Sequence, residues 1–200
     1  MIDPSDLKLA YAVSCIILGL IIVTPTLAVV VTFPGGERFS ELWLLGQNHM
    51  TEDYPFNVKA NKLYSVHLGI GNHMDCLEYY AVYVKFRNRS ESSPSNMNGT
   101  ASILEPVFEY RVFLRENDVW EKDVLFSFEN VSFAGNFCKV SKLIIDGSVV
   151  SVDKVAFWDQ ENNGFYYQMF FELWFYNFTT SGLQYHNRYV SNWLNFTTGL

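Results

Sequence analysis

The stretch Phe165-Tyr-Tyr-Gln-Met-Phe-Phe-Glu-Leu-Trp-Phe-Tyr176 decides the fold class of this chain. Its alternate residues form an entirely apolar set: Phe165, Tyr167, Met169, Phe171, Leu173 and Phe175. The residues between them mix polar and aromatic side chains: Tyr166, Gln168, Phe170, Glu172, Trp174 and Tyr176. Alternation with a period of two is typical of a β-strand with one face in the core. The stretch therefore predicts a strand whose second face is only partly exposed to water.

The same period recurs both before and after this stretch. Further strands are predicted at residues 63–71, 78–87, 108–115, 124–128 and 184–196. Asp146-Gly147 is the residue pair expected in a tight hairpin turn. After the N-terminal segment about 160 residues remain, which is enough for one good core and too few for two ordinary domains. We therefore expect a mainly β chain with about eight strands in an antiparallel, Ig-like β-sandwich.

The N-terminal segment has a different character. Residues 9–31 carry no charge, and at about 1.5 Å per residue a helix of this length would be about 34 Å long, enough to cross a bilayer core. The run predicts a transmembrane signal-anchor helix at 9–32, held in membrane lipid. A signal peptide cleaved near Thr26-Leu-Ala28 is one alternative, and a buried core helix is another. The uncharged stretch is long for either, and Pro25 is better tolerated in membrane helices than in soluble ones.

These boundaries predict four segments. A short cytoplasmic tail at 1–8 precedes the anchor, a linker at 33–38 follows it, and an extracellular β-sandwich domain occupies 39–200. The basic residues beside the run do not decide its orientation. Five Asn-x-Ser/Thr triplets follow it, where the composition predicts about two by chance. They lie at Asn88, Asn98, Asn130, Asn177 and Asn195. The triplets favour a single-pass protein of the cell membrane with a glycosylated external domain.

The cysteines fit an external domain without deciding the question. Cys15 lies in the uncharged run, where it serves as a small apolar residue. Cys76 and Cys138 are the two cysteines of the domain, and an external setting allows them to form one disulfide. Two unpaired buried thiols are the other reading, and the sequence does not separate the two.

Residues 88–99 form a polar loop that contains two of the five triplets. The segment is rich in Ser, Asn, Pro and Gly and offers little apolar area to bury. We expect it to be mobile and to be the most accessible place for glycans.

No motif predicts catalysis, a cofactor or a metal. The four histidines have no partner at metal-ligand spacing along the chain, and Cys138 lacks the His and Met that a cupredoxin copper site needs. Gly69-Ile-Gly71 lacks the third glycine of a nucleotide loop. The net charge of −7, with no basic run, argues against nucleic acid as a partner. We expect a non-enzymatic chain without a cofactor.

Aromatic residues make up 17% of the chain, which is the one abnormal quantity in its composition. Several of them project from the strand faces opposite the core: Tyr79, Tyr83, Tyr166, Trp174 and Tyr176. A second packed face explains this pattern without any function. A binding face for glycan stacking or for a partner protein is the functional alternative.

Several motifs in order resemble those of a known family. They are Glu37-Arg-Phe-Ser-Glu-Leu-Trp-Leu-Leu-Gly46, Tyr54-Pro-Phe-Asn-Val58, Leu68-Gly-Ile-Gly-Asn-His73, Trp120-Glu121, Tyr166-Tyr-Gln-Met-Phe-Phe-Glu-Leu-Trp174, His186-Asn-Arg-Tyr-Val190 and Trp193-Leu-Asn195. Across residues 37–198 the chain is similar to archaeal membrane proteins that share a domain of unknown function, the DUF1616 type. The resemblance implies an archaeal envelope protein with an external β-domain. It implies no catalytic residues.

Two functional hypotheses remain open. The first is a non-catalytic envelope module that binds a partner protein or a surface glycan through its aromatic face. The second is an accessory subunit of a membrane enzyme complex, such as one that acts in surface-glycan assembly.

Overall fold

A computed structural model describes the backbone of residues 4–30 and 37–197 and the side chains of 7–23 and 37–197. The chain divides into two compact units, residues 1–37 and residues 38–200. The predicted linker at 33–38 lies mostly outside the described residues.

The N-terminal unit contains one helix, α1 (Pro4–Val30). Among the described residues, no helix is both long enough and apolar enough to cross a membrane. The side chains of residues 24–32, the last part of the predicted transmembrane helix at 9–32, lie outside the described residues.

The second unit is built of strands. Their bounds are β1 (Phe39–Leu45), β2 (Asn57–Val58), β3 (Tyr64–His73), β4 (Glu78–Asn88), β5 (Phe108–Leu114), β6 (Val119–Ala134), β7 (Phe137–Ile145), β8 (Ser148–Asp159), β9 (Gly164–Asn177) and β10 (Gly182–Phe196). The prediction of a mainly β chain is confirmed, with ten described strands instead of about eight.

The strands form one curled sheet. Its hydrogen-bonded order is β1-β3-β6-β7-β8-β9-β10-β2, and β4 pairs with both β9 and β5 beside this path. The pairs are antiparallel except β10–β2, which is parallel. Strand β9 has β10 along one edge and β4 and the end of β8 along the other, so the stretch that decides the fold class also lies at the junction of the sheet.

The core lies on the inner face of the curl, where the period-two pattern predicts it. Four core-facing residues of β9 have no exposed surface: Tyr167, Met169, Phe171 and Leu173. The ring of Phe86 in β4 lies 5.5 Å from that of Phe128 in β6. These two strands are not neighbours in the sheet, so the contact packs one part of the curled sheet against another through the core. At about 25 cal/mol per Å² of apolar area removed from water, such rings are the main source of stability.

The hairpin predicted at Asp146-Gly147 joins β7 to β8. Both residues have positive φ, +46° and +80°, as a two-residue hairpin loop of the mirror-image type requires. Asp146 also accepts a hydrogen bond from the hydroxyl of Tyr110, at 2.9 Å, and one from the backbone N–H of Leu125, at 3.0 Å. The turn is therefore fastened to the neighbouring strands as well as being locally favoured.

Candidate functional site

The outer faces of β4, β5 and β9 bring most of the predicted aromatic residues together. Tyr79 stacks on Phe113 of β5 with ring centroids 4.5 Å apart, and it lies 6.5 Å from Tyr176 of β9. Tyr83 lies 5.2 Å from Trp174. We call the surface formed by Tyr79, Tyr83, Phe113, Trp174 and Tyr176 the aromatic face.

The strand register explains why these rings meet. Tyr79 is paired with Phe113 across β4 and β5, and Tyr83 is paired with Glu109. Trp174 is paired with Ala81 on β4, so a small side chain between Tyr79 and Tyr83 leaves room for the indole ring. Neighbouring residues on the same face of a sheet lie close enough for aromatic rings to touch.

Charged and hydroxyl groups border the aromatic face. The Arg111 guanidinium donates two hydrogen bonds to the Glu109 carboxylate, at 2.9 and 3.2 Å, and a third to the Tyr79 hydroxyl, at 3.1 Å. These bonds raise the pKa of Arg111 above its usual range. Burial raises the pKa of the Tyr83 phenol, and the nearby Glu109 carboxylate adds to the shift. The face therefore combines stacking surfaces with polar groups held in place.

Tyr166 does not belong to the aromatic face. It lies at the other end of β9, 6.1 Å from the ring of Phe56. With Arg89, Asn162 and Trp193, these two residues line a separate groove of about 360 Å³. The structure thus brings four of the five predicted aromatic residues together and adds Phe113. Sequence reasoning missed Phe113 because its strand was read only for its core-facing residues.

The middle of the outer face is covered by the loop that follows β4. Lys85 and Glu172 form an ion pair there, with 2.9 Å between Nζ and Oε2, and their side chains are 3% and 0% exposed. The backbone of Ser102 in the loop bonds to both members of the ion pair. Its carbonyl accepts a hydrogen bond from Lys85 at 2.7 Å, and its N–H donates one to Glu172 at 2.7 Å.

The first residues of the polar loop predicted at 88–99 are bonded to the sheet. The Asn88 amide donates to the carbonyl of Val155 at 2.8 Å, and the carboxylate of Glu91 pairs with Lys154. Arg87 donates to the carbonyl of Glu91. The loop lacks apolar area, as its composition indicates, but Arg87, Lys154 and the carbonyl of Val155 in the sheet supply partners for its first residues. Residues 96–99 are exposed, and the mobility of the loop stays a prediction.

A histidine of β10 and a serine of β1 lie within hydrogen-bonding distance of each other. In the described residues of β10 the register shifts between Tyr185 and Arg188, and the irregularity turns His186 toward β1. The Nε2 atom of His186 lies 2.7 Å from the hydroxyl of Ser40, which lies 2.6 Å from the hydroxyl of Tyr80.

The direction of the protons in this contact argues against a nucleophilic serine. Tyr80 donates to Oδ1 of Asn72 at 3.0 Å, since the amide of Asn72 is oriented by its own bonds to two carbonyls. The Ser40 proton must then lie toward Tyr80, and His186 must donate to Ser40. A histidine that donates to serine cannot take its proton as a general base. Ser40 is also fully buried.

The cysteines of the domain do not form a disulfide. Cys138 is fully buried beneath Tyr167, and burial raises the pKa of its thiol to about 12. Cys76 is exposed, and its thiol donates to the Glu78 carboxylate at 3.1 Å. Both are free in the described part of the chain, so the disulfide reading is wrong and only Cys138 fits the buried-thiol reading.

The structure places the five triplet asparagines in different surroundings. Asn98 and Asn130 are exposed. Asn88 and Asn177 are half-buried, and the side-chain amide of Asn177 donates to Gln184 at 2.7 Å. Asn195 is 5% exposed, and its amide donates to Asn57 at 3.1 Å.

If the domain matures outside the cell, we expect glycans at Asn98 and Asn130 and none at Asn195. A glycan is attached through the side-chain amide nitrogen, so the amide of Asn195 would have to leave the folded sheet. Mass spectrometry of glycopeptides from the native protein measures occupancy at each position. Full occupancy of Asn195 together with an unmodified Asn98 would contradict the accessibility argument.

Three residues with metal-ligating side chains also meet in the fold: His49, His67 and Asp123. One ligand atom from each lies within 4.8 Å of the others. Sequence reasoning missed them because the tertiary fold brings them together: the pairing of β3 with β6 sets His67 opposite Asp123, and the β1–β2 connection places His49 on the ring of His67.

The family model for a domain of unknown function, DUF1616, matches residues 34–152 of this sequence. The chain belongs to the DUF1616 family. No curated protein and no solved structure matches it. The matched range of the DUF1616 model includes Tyr79, Tyr83, Phe113 and the three metal-ligating residues, while Trp174 and Tyr176 lie beyond it. The family is described by its unknown function, so the assignment carries no substrate or catalytic residue to this chain.

Proposed function

We propose that this DUF1616 chain is a non-catalytic binding module outside the cell, and that the aromatic face binds a glycan. The observation that carries the proposal is the stacked pair of Tyr79 and Phe113, with Tyr83, Trp174 and Tyr176 beside it. Phe113 is 68% exposed although it is large and apolar. The four other rings of the aromatic face are half-buried, so Phe113 is the exposed centre of a partly accessible aromatic surface, which supports its use as an interaction surface.

The chemistry of the face favours a glycan. A sugar ring has an apolar C–H face that stacks on aromatic rings and hydroxyl groups that need hydrogen-bond partners at its edge. Phe113 and Tyr79 supply the stacking surface, and Arg111 and Glu109 supply charged donors and acceptors already held by their mutual bonds. A few placed polar groups beside aromatic surface is the common composition of a specific binding site.

Two further parts of the proposal concern the architecture and the location of the domain. The parts of the curled sheet that contain β4 and β6 pack face to face through contacts such as Phe86–Phe128, which supports an Ig-like sandwich architecture for the domain. The five Asn-x-Ser/Thr triplets, with Asn98 and Asn130 exposed, support an external location.

Substitution of Phe113 tests the proposal against a matched control. We expect Phe113→Ala to weaken glycan binding about ten-fold, because an aromatic stacking contact contributes about 1–1.5 kcal/mol. Phe157 in β8 is 66% exposed and lies outside the aromatic face, so Phe157→Ala should bind as the wild-type chain does. A glycan array identifies the ligand, and calorimetry with that ligand measures the affinity of each variant.

Two results would contradict the proposal. One is an array with no binding above background. The other is a ligand whose affinity falls equally in Phe113→Ala and Phe157→Ala. Capture of a defined multi-span enzyme through Phe113, in place of a glycan, would favour an accessory subunit of a membrane enzyme.

A further inference from the structure

The three residues with metal-ligating side chains lie on separate elements of the sheet. His49 is in the connection between β1 and β2, His67 is in β3, and Asp123 is its cross-strand partner in β6. The His67 side chain is 9% exposed, whereas that of Asp123 is 68% exposed. The cluster is therefore anchored at a buried imidazole and open to water on its carboxylate side.

The hydrogen bonds of His67 show which ring nitrogen is available. Nε2 lies 3.0 Å from the backbone carbonyl of Gln47, which can only accept, so Nε2 carries a proton. Nδ1 lies 2.5 Å from the Asp123 carboxylate. A histidine that binds a metal commonly donates its other ring N–H to a carbonyl or carboxylate, and this bond sets the ring orientation. The bond to Gln47 provides that arrangement and directs Nδ1 toward Asp123.

The position of His49 is determined by a tight turn. The backbone N–H of Gly46 donates to the carbonyl of Met50 at 2.7 Å, and that of His49 donates to the carbonyl of Gly46 at 3.0 Å. His49 has a φ of +56°, in the left-handed region that few non-glycine residues adopt. Its ring stacks on that of His67 with centroids 3.5 Å apart, which brings a second imidazole to the Asp123 carboxylate.

We propose that His49, His67 and Asp123 bind a zinc ion. Two imidazoles and one carboxylate are ligands that Zn²⁺ accepts in a tetrahedral site, with water as the fourth ligand. Ligand atoms about 2.0 Å from a tetrahedral ion are about 3.3 Å from each other. Nδ1 of His67 and the Asp123 oxygen must therefore separate by less than about 1 Å, which the exposed aspartate side chain allows.

The ion would fasten the β1–β2 connection to β3 and β6. In the absence of metal, a hydrogen bond joins Nδ1 of His67 to the Asp123 carboxylate. Burial of the His67 ring lowers its pKa, but the bonds to Gln47 and Asp123 outweigh burial, so the pKa lies above its ordinary value.

Zinc titration of the full chain, prepared without a polyhistidine tag, tests the site. We expect one zinc ion per chain by calorimetry with ZnCl₂ at neutral pH, and a higher melting temperature with zinc than with a chelator. His49→Ala and Asp123→Asn should each weaken binding at least about ten-fold. Both residues are exposed, so these variants leave the buried His67 in place and should fold.

His73→Ala is the matched control. Its imidazole also faces a carboxylate, that of Glu41 at 3.6 Å, but no second histidine lies in that pair. The control should bind zinc as tightly as the wild-type chain. Absence of zinc binding to the wild-type chain would overturn the proposal and leave a simple His–Asp ion pair. Unchanged binding in both His49→Ala and Asp123→Asn would overturn it equally, because the ion would then be held elsewhere. Neither result depends on whether the aromatic face binds a glycan.

Discussion

Replacing Lys85 with methionine is expected to lower the free energy of unfolding by about 3–5 kcal/mol. The change leaves the fully buried carboxylate of Glu172 without its cation. The hydrogen bonds that remain to it, from the backbone N–H of Ser102 at 2.7 Å and the indole N–H of Trp174 at 3.2 Å, do not neutralise its charge. Chemical denaturation of the variant and the wild-type chain measures the difference.

Two controls separate the buried charge from a general effect of losing lysine. Lys139 pairs with Asp153 at 2.8 Å on the surface, with the two side chains 41% and 61% exposed, so Lys139→Met should cost less than about 1 kcal/mol. The double variant Lys85→Met with Glu172→Leu removes both charges and should recover most of the lost stability. A cost for Lys85→Met no larger than that for Lys139→Met would show that the pair is not the origin of the effect.

The single variant Lys85→Met should also loosen the loop after β4. The carbonyl of Ser102 accepts from Lys85, so its removal frees one end of the contact that holds the loop on the sheet. Hydrogen exchange should then rise at residues 89–106 before it rises in β9. This readout distinguishes local release of the loop from uniform destabilisation.

Acid should destabilise the domain through His186. Burial lowers the pKa of His186 to about 4, and the positive charge of Arg188 adds to the shift, whereas the unfolded chain has a histidine pKa of about 6.5. Above pH 6.5 the residue is neutral in both states and has no effect. Between about pH 6.5 and about pH 4 the unfolded chain binds more protons, so the free energy of unfolding falls with falling pH. After allowance for partial solvent screening, the full loss is roughly 2–3 kcal/mol.

The variant His186→Asn isolates this contribution. Its amide can still donate to the hydroxyl of Ser40, but it does not titrate. We expect the stability difference between the wild-type chain and the variant to change by about 2–3 kcal/mol from pH 7 to pH 4. The difference cancels the opposite contribution of His67, whose raised pKa stabilises the fold at low pH. A difference that is constant with pH would show that His186 is not protonated on unfolding in this range.

The core-facing residues were predictable from the sequence because side-chain direction is a local property of a strand. Tyr80, Val82, Val84 and Phe86 alternate with polar or aromatic residues along β4, and each is at most 1% exposed. The hairpin at Asp146-Gly147 was predictable for the same reason, since its two φ angles depend on two adjacent residues. The contacts of Asn88 and Glu91 with β8 were not, because Val155 and Lys154 lie on a strand far along the chain.

The sequence by itself determined that this chain is mainly β and which face of each long strand enters the core. Only the tertiary structure decided which strands are neighbours. That order pairs Lys85 with Glu172, places Phe113 against Tyr79, and sets His67 opposite Asp123. The physical reason is that alternation along a strand acts between adjacent residues, whereas strand pairing depends on how all the faces and loops fit together around one core.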